Sequence, residues 1–195
     1  MTLPAPSRPV LSRRDIVAAA LAAATPLALS PGRASAASRA ELDAAADEAL
    51  KRLYGGSDKA RELSAKSLGV LIFPKITKAG FVIGGQGGEG VLRIHGVTRG
   101  YYRIGAASFG LQAGAQTFSY ALFFVTRSSL EYLRSSKGWA IGSGPSVVVA
   151  DAGVAKSLNT TTLTQDVYAM PFGQSGLMAG LGLEGSKISR FDPKP

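Results

Sequence analysis

From residue 37 onward the apolar positions fall into two regimes. Leu42, Ala45, Ala46, Ala49, Leu50 and Leu53 recur at steps of three and four, which places them on one face of a helix over Ala37–Tyr54. Acids lie early in that stretch and Lys51 and Arg52 late, the order that suits the helix macrodipole. Gly55 and Gly56 end it, and Ser57 is a fitting cap for a second short helix running to about Ser67. Beyond Leu68 the period changes. Gly69-Val70-Leu71-Ile72-Phe73-Pro74 is a short β-branched run closed by a proline that cannot continue in a central strand. Glycines then recur amid apolar runs at 80–84, 105–125 and 176–183. Glycine disfavours helix interiors, so these runs read as strands with bends, bulges or close backbone approaches, the run 105–125 being long enough for one bent strand or a hairpin. One helix interrupts them: Ser128 and Glu131 have capping-box spacing, and Gly138 supplies a stop. Loops follow at 142–145 and 159–162. The pattern predicts an α+β domain: a strongly curved antiparallel sheet or partly closed β-barrel, with N-terminal amphipathic helices and one inserted helix.

The first 36 residues do not belong to that pattern. Arg8, Arg13 and Arg14 precede an alanine-rich apolar span from Ile16 to Leu29. At about fourteen residues it is shorter than the twenty or so that a membrane-spanning helix needs. Ala34-Ser35-Ala36 is the small-x-small pattern of a signal-peptidase site, which puts the cut between Ala36 and Ala37. Ser12-Arg13-Arg14-Asp15-Ile16-Val17 resembles a twin-arginine signature, and the weakly hydrophobic span with Arg33 before the cut favours that route over general secretion. The expected organisation is a signal peptide over 1–36 and a single domain over 37–195, located in the periplasm or secreted.

Charge narrows the partners. Without residues 1–36 the chain keeps 18 Lys plus Arg against 12 Asp plus Glu, a net charge of +6. Outside the cytoplasm the abundant anions are lipid headgroups and surface polysaccharides, so an anionic membrane surface is expected and nucleic acid is not. No protein partner can be named from these residues. With no cysteine, neither a disulfide nor a lipid anchor at the cut is available, and the core alone must hold the domain.

Catalytic patterns are thin. Gly85-Gln86-Gly87-Gly88-Glu89-Gly90 matches G-x-G-x-x-G in form, but strand-like Val91-Leu92-Arg93-Ile94 follows where a phosphate-holding helix is needed. The string reads as a flexible turn between strands. His95 is the single histidine, there is no G-x-S-x-G elbow, and neither a nucleophile pair nor a metal set can be assembled; His95 reads as a partly exposed residue in a strand or turn. Glu89 and Glu184, each followed by glycine in loosely echoing segments, are the one pair that could serve glycoside hydrolysis, and turn-proximal acids are the plainer reading. Trp139, Phe118, Tyr120, Phe123 and Phe124 read as core. No cofactor and no catalytic residue is expected.

The basic residues carry the remaining signal. Lys75 and Lys78 follow Phe73-Pro74 directly, and Arg93, Arg99 and Arg103 fall in a stretch without acids from Val91 to Leu130. A Phe-Pro tip with two lysines has the chemistry of an interfacial membrane contact.

The stretch Ala65-Lys66-Ser67-Leu68-Gly69-Val70-Leu71-Ile72-Phe73-Pro74-Lys75-Ile76-Thr77-Lys78-Ala79-Gly80-Phe81 resembles the opening of the SYLF domain family. Gly84 to Leu92, Ser108-Phe109-Gly110-Leu111-Gln112-Ala113-Gly114, and Tyr168-Ala169-Met170 to Gly176-Leu177-Met178-Ala179-Gly180 are similar to its later blocks, in order. The resemblance implies a non-enzymatic lipid-binding module; eukaryotic members bind phosphoinositides and associate with actin. It also implies that lipid contact uses an amphipathic N-terminal segment and basic residues, here Lys51, Arg52, Lys59 and Lys66 with Lys75, Lys78 and Phe73. Gly100-Tyr101-Tyr102 stands where many members carry tryptophan-proline.

Overall fold

Capping chemistry sets the two N-terminal helices. The computed structural model describes residues 37–150, 164–176, 183 and 185–195; the leader with Ala36, the 159–162 loop, most of the 176–183 run and Glu184 lie outside the described residues. By contacts the chain divides into Met1–Ser35 and Ala36–Pro195. Helix α1 spans Arg39–Gly56, and its N-cap Ser38 forms a full capping box with Glu41. The hydrogen bonds from the Ser38 backbone and then its side chain hold the Glu41 carboxyl below its ordinary range. Helix α2 spans Asp58–Lys66, with Ser57 as the expected cap, its hydroxyl accepting from the Ala60 N–H. Tyr54 Oη donates to Ser64 Oγ at 2.8 Å, tying the pair together.

The glycine-rich region is one long hairpin. Strand β1 covers Gly69–Ile94 and strand β2 covers Val97–Phe124, antiparallel from Ile94↔Val97 out to Gly69↔Phe124. The turn is His95-Gly96, with φ of 50° and 78°, the sign that a two-residue primed turn demands at both positions. The predicted turn at 85–90 is therefore a correction: those glycines lie inside β1. Their reason is proximity, because β1 bends back until its first half rests on its last. A Cβ on Gly90 would fall 2.5 Å from the Ile72 carbonyl and from Phe73 Cδ1, and one on Gly88 2.6 Å from the Lys75 carbonyl. Pro74 does not end the strand either. It sits in the bulge between Phe73 and Ile76, where an absent N–H is tolerated, and its carbonyl accepts from Ser119 Oγ at 2.7 Å.

The other edge of β2 is shared by two short partners. Strand β5 (Val167–Gly176) pairs with 116–124 and strand β6 (Lys187–Phe191) with 101–105. Strand β3 (Trp139–Ala140) joins β6, and β4 (Val147–Val149) joins β5 in parallel. The curled sheet is thus mixed at that one pair, a half-barrel within an α+β fold. Helix α3 (Arg127–Ser135) follows β2, capped by Thr126 accepting from the Ser129 N–H rather than by the expected Ser128 box.

Over 70–73 and 120–124 both faces of the sheet are covered, so these segments lack polar alternation. Leu71, Phe73, Ile76, Tyr120, Leu122 and Phe124 point into the curl with Trp139 and α3 residues. Val70, Ile72, Ala121 and Phe123 point the other way, against Leu42, Ala46, Ala49, Leu53 and Leu63 of the helices. The aromatics Phe118, Tyr120, Phe123, Phe124 and Trp139 are all core, as their sequence setting suggested. Phe73 is core as well, with no exposed area. The expected Phe-Pro membrane tip is therefore corrected: alternation turns the ring into the curl, onto Gly90. No helix among the described residues is long and apolar enough to cross a membrane.

Candidate functional site

Asp43 and Asp47, one turn apart on α1, reach down to the turn end of the hairpin. The Asp43 carboxylate accepts from Thr98 Oγ1 at 2.7 Å and from Tyr101 Oη at 3.0 Å. Arg93 Nη2 donates to Asp47 Oδ1 at 2.6 Å and lies 3.4 Å from Asp43, while its Nη1 donates to Thr98 at 2.6 Å. Burial, then the bond to Asp43, pushes the Tyr101 phenol above its ordinary range. This network docks the helix pair on both strands. Arg93 Nε stays buried without a partner, so the guanidinium is only partly satisfied.

Beside Arg93 opens a cleft of about 520 Å³ lined on one side by Leu50, Tyr54 and Lys66 of the helices and on the other by Leu68, Arg93 and His95. Its lining carries apolar surface: Leu68 is 38 % exposed, and Val97, the residue after the His95-Gly96 turn, is 51 % exposed. Exposed Leu68 beside Lys66 and His95 makes that wall of the cleft amphipathic.

The structure divides the basic residues singled out from the sequence. Lys75 and Arg52 line a second cleft together with Glu41, Glu48 and Glu89. Each of these acids already has a partner: Glu41 caps Ser38, Glu48 is 3.8 Å from Arg52, and Glu89 holds Arg103 at 3.0 Å. Lys66 sits apart, in the first cleft. Lys59 pairs with Glu62 at 2.7 Å on α2, and Lys59 first, then Lys66, holds the Glu62 carboxyl below its ordinary range. Lys51 is exposed on α1, and Lys78 is half-buried on β1. Ala37, expected as the first mature residue, lies at the second cleft. Leu68 and Val97 escaped sequence reasoning because nothing in their neighbours marks them as uncovered; Arg93 was legible only as part of the acid-free basic stretch.

Among known families, the one described as Ysc84, Las17-binding protein actin regulator, matches residues 105–192. That segment runs from the middle of β2 to the end of β6, so the match bears on the half-barrel and leaves the cleft residues untouched. No curated protein matches the chain. The ordered sequence blocks and this match agree, and residues 105–192 match the SYLF (Ysc84) family.

Proposed function

We propose that this chain is an exported, non-enzymatic domain that binds anionic phospholipid at the turn end of its hairpin. The observation that carries the reading is the juxtaposition of exposed Leu68 with Lys66 and His95 around one cleft, with exposed Val97 following the turn that closes it. Aliphatic side chains enter the acyl boundary while Lys66 meets phosphate; the Arg93 guanidinium is held by Asp47 and Thr98 at the floor of the cleft. The family match over 105–192 supports a lipid-binding role in general. The actin-regulator description belongs to the family, and a periplasmic domain would not meet actin. Lys75 and Arg52 enter as a secondary electrostatic face, since acids share their cleft.

The alternative of an envelope glycan hydrolase finds less support. Of its proposed pair, Glu89 is engaged with Arg103 at 3.0 Å and Glu184 lies outside the described residues.

Vesicle sedimentation tests the lipid reading. Lys66→Glu with Leu68→Asp should weaken binding to phosphatidylglycerol vesicles by about tenfold or more, each basic residue near the surface being worth about 1 kcal/mol. Equal binding by the folded double variant and the parent at low salt would overturn it. Export is tested separately: Arg13→Lys with Arg14→Lys should strand the precursor in the cytoplasm, and normal export of that variant would assign the general secretory route instead.

A further inference from the structure

We propose that a cleft bounded by Arg39, Arg99 and Arg190 is an oxyanion site that takes a phosphate group. It lies where β6 stops short: β6 pairs with β2 only from Tyr101 to Gly105, so residues 97–100 have β1 on one side and no β6 on the other. Thr98, Arg99, Gly100 and Tyr101 form the floor of that open edge, and Arg190, Phe191 and Asp192 form one wall. Helix α1 contributes Arg39.

Charge within the cleft is unbalanced. Its one acid, Asp192, is bound by Arg39 at 2.7 Å. Among the described residues no acid pairs with Arg99 or Arg190. The Tyr102 hydroxyl and Arg190 Nε each lie 3.7 Å from the place a Cβ on Gly100 would occupy. That hydroxyl is buried and unpartnered, and burial raises its pKa, so it stays neutral and leaves the guanidinium charge uncompensated. Because residue 100 is glycine, no side chain fills the space beside Arg190.

Arg99 and Arg190 both line this cleft, are exposed, and have no acid partner among the described residues, and a guanidinium binds phosphate through paired N–H groups. Phe191 completes the wall, with Arg103 4.1 Å over its ring. The phosphate could belong to a lipid headgroup or to a soluble ligand, and the recognition chemistry is the same. This cleft shares no lining residue with the one holding Lys66 and His95, so the two proposals fail separately.

The test titrates the purified protein with inorganic phosphate at fixed ionic strength, against chloride, by calorimetry and by amide shifts of residues 98–100 and 190. Saturable binding is expected in the parent and in Lys66→Glu, and Arg99→Gln with Arg190→Gln should weaken it about tenfold or more. Arg99→Lys with Arg190→Lys keeps the charge and loses the paired donors, so it should fall between, which separates recognition from an unfolded variant. Phosphatidic acid vesicles distinguish the source. Loss of vesicle binding in the Gln variant, with competition by free phosphate, supports a lipid headgroup; phosphate binding with unchanged vesicle binding supports a soluble ligand. A parent that binds phosphate no better than chloride, or a folded Gln variant that binds phosphate like the parent, overturns the site.

Discussion

Adding one methyl group to Gly90 tests the way β1 packs on itself. The new carbon in Gly90→Ala would lie 2.5 Å from the Ile72 carbonyl oxygen and from Phe73 Cδ1, and 2.8 Å from Phe73 Cε1. Ordinary contact begins near 3.4 Å, so roughly 1 Å must be opened between two segments of one strand. Neither neighbour can yield cheaply, since one is backbone and the other a ring without exposed area. Overpacking of this kind costs about 1–3 kcal/mol, and the upper end applies here. The entropy that alanine removes from the unfolded chain offsets about 0.5–1 kcal/mol. A net loss of about 2 kcal/mol lowers the melting temperature of a domain this size by about 4–8 °C. Gly85→Ala is the matched control, because its Cβ would meet only the Ala106 carbonyl at 3.5 Å, and it should melt with the parent or slightly above. Calorimetric melts of the three proteins decide the matter. A Gly90→Ala protein that melts within a degree of the parent would show that the two halves of β1 do not touch.

Phe73→Ala should cost about 3–5 kcal/mol as a buried aromatic truncation, seen as a lowered denaturant midpoint; an unaltered midpoint would return the ring to the surface. Tyr120, pushed up to about 12 by burial, should ionise late in a tyrosinate absorbance titration. Its neutral form is the one the fold favours, so its contribution is complete below about pH 10 and declines as pH rises through about 12. Tyr120→Phe should flatten that alkaline decline, and an unchanged slope would count against the assignment.

Where local chemistry decides the structure, the sequence shows it. The 3–4 spacing from Leu42 to Leu53, the Ser57 cap and the change of period at Leu68 gave helices and strands in their observed places, and the glycine density announced a sheet bent hard. Where distant segments decide, it does not. Gly85 to Gly90 looks like a turn because glycine serves turns and close approaches alike, and only the return of Ile72 and Phe73 onto Gly90 separates the two. Phe73 reads as a tip because Pro74 suggests an ending, yet the bulge carries the strand past it. The first cleft joins residues from α1, α2, both ends of β1 and the His95-Gly96 turn. Lys66 and Lys75 lie close in sequence but line different clefts, the first with Asp47, Leu50 and Tyr54 of α1 and the second with Glu41, Glu48 and Arg52.

The nested register of β1 and β2 has a kinetic meaning. Pairing can begin at His95-Gly96, where the loop to be closed is minimal, and each further pair lengthens an existing ladder instead of closing a fresh loop. The distant pair Gly69↔Phe124 is thereby reached in small entropic steps, although its sequence separation would mark it as a slow contact. Strands β5 and β6 find no edge until β2 has been laid down, and the helices find no face until Val70 and Phe123 lie side by side. Assembly from the turn outward makes His95-Gly96 the place where the order of events is set, and a lesion there should slow folding more than it hastens unfolding.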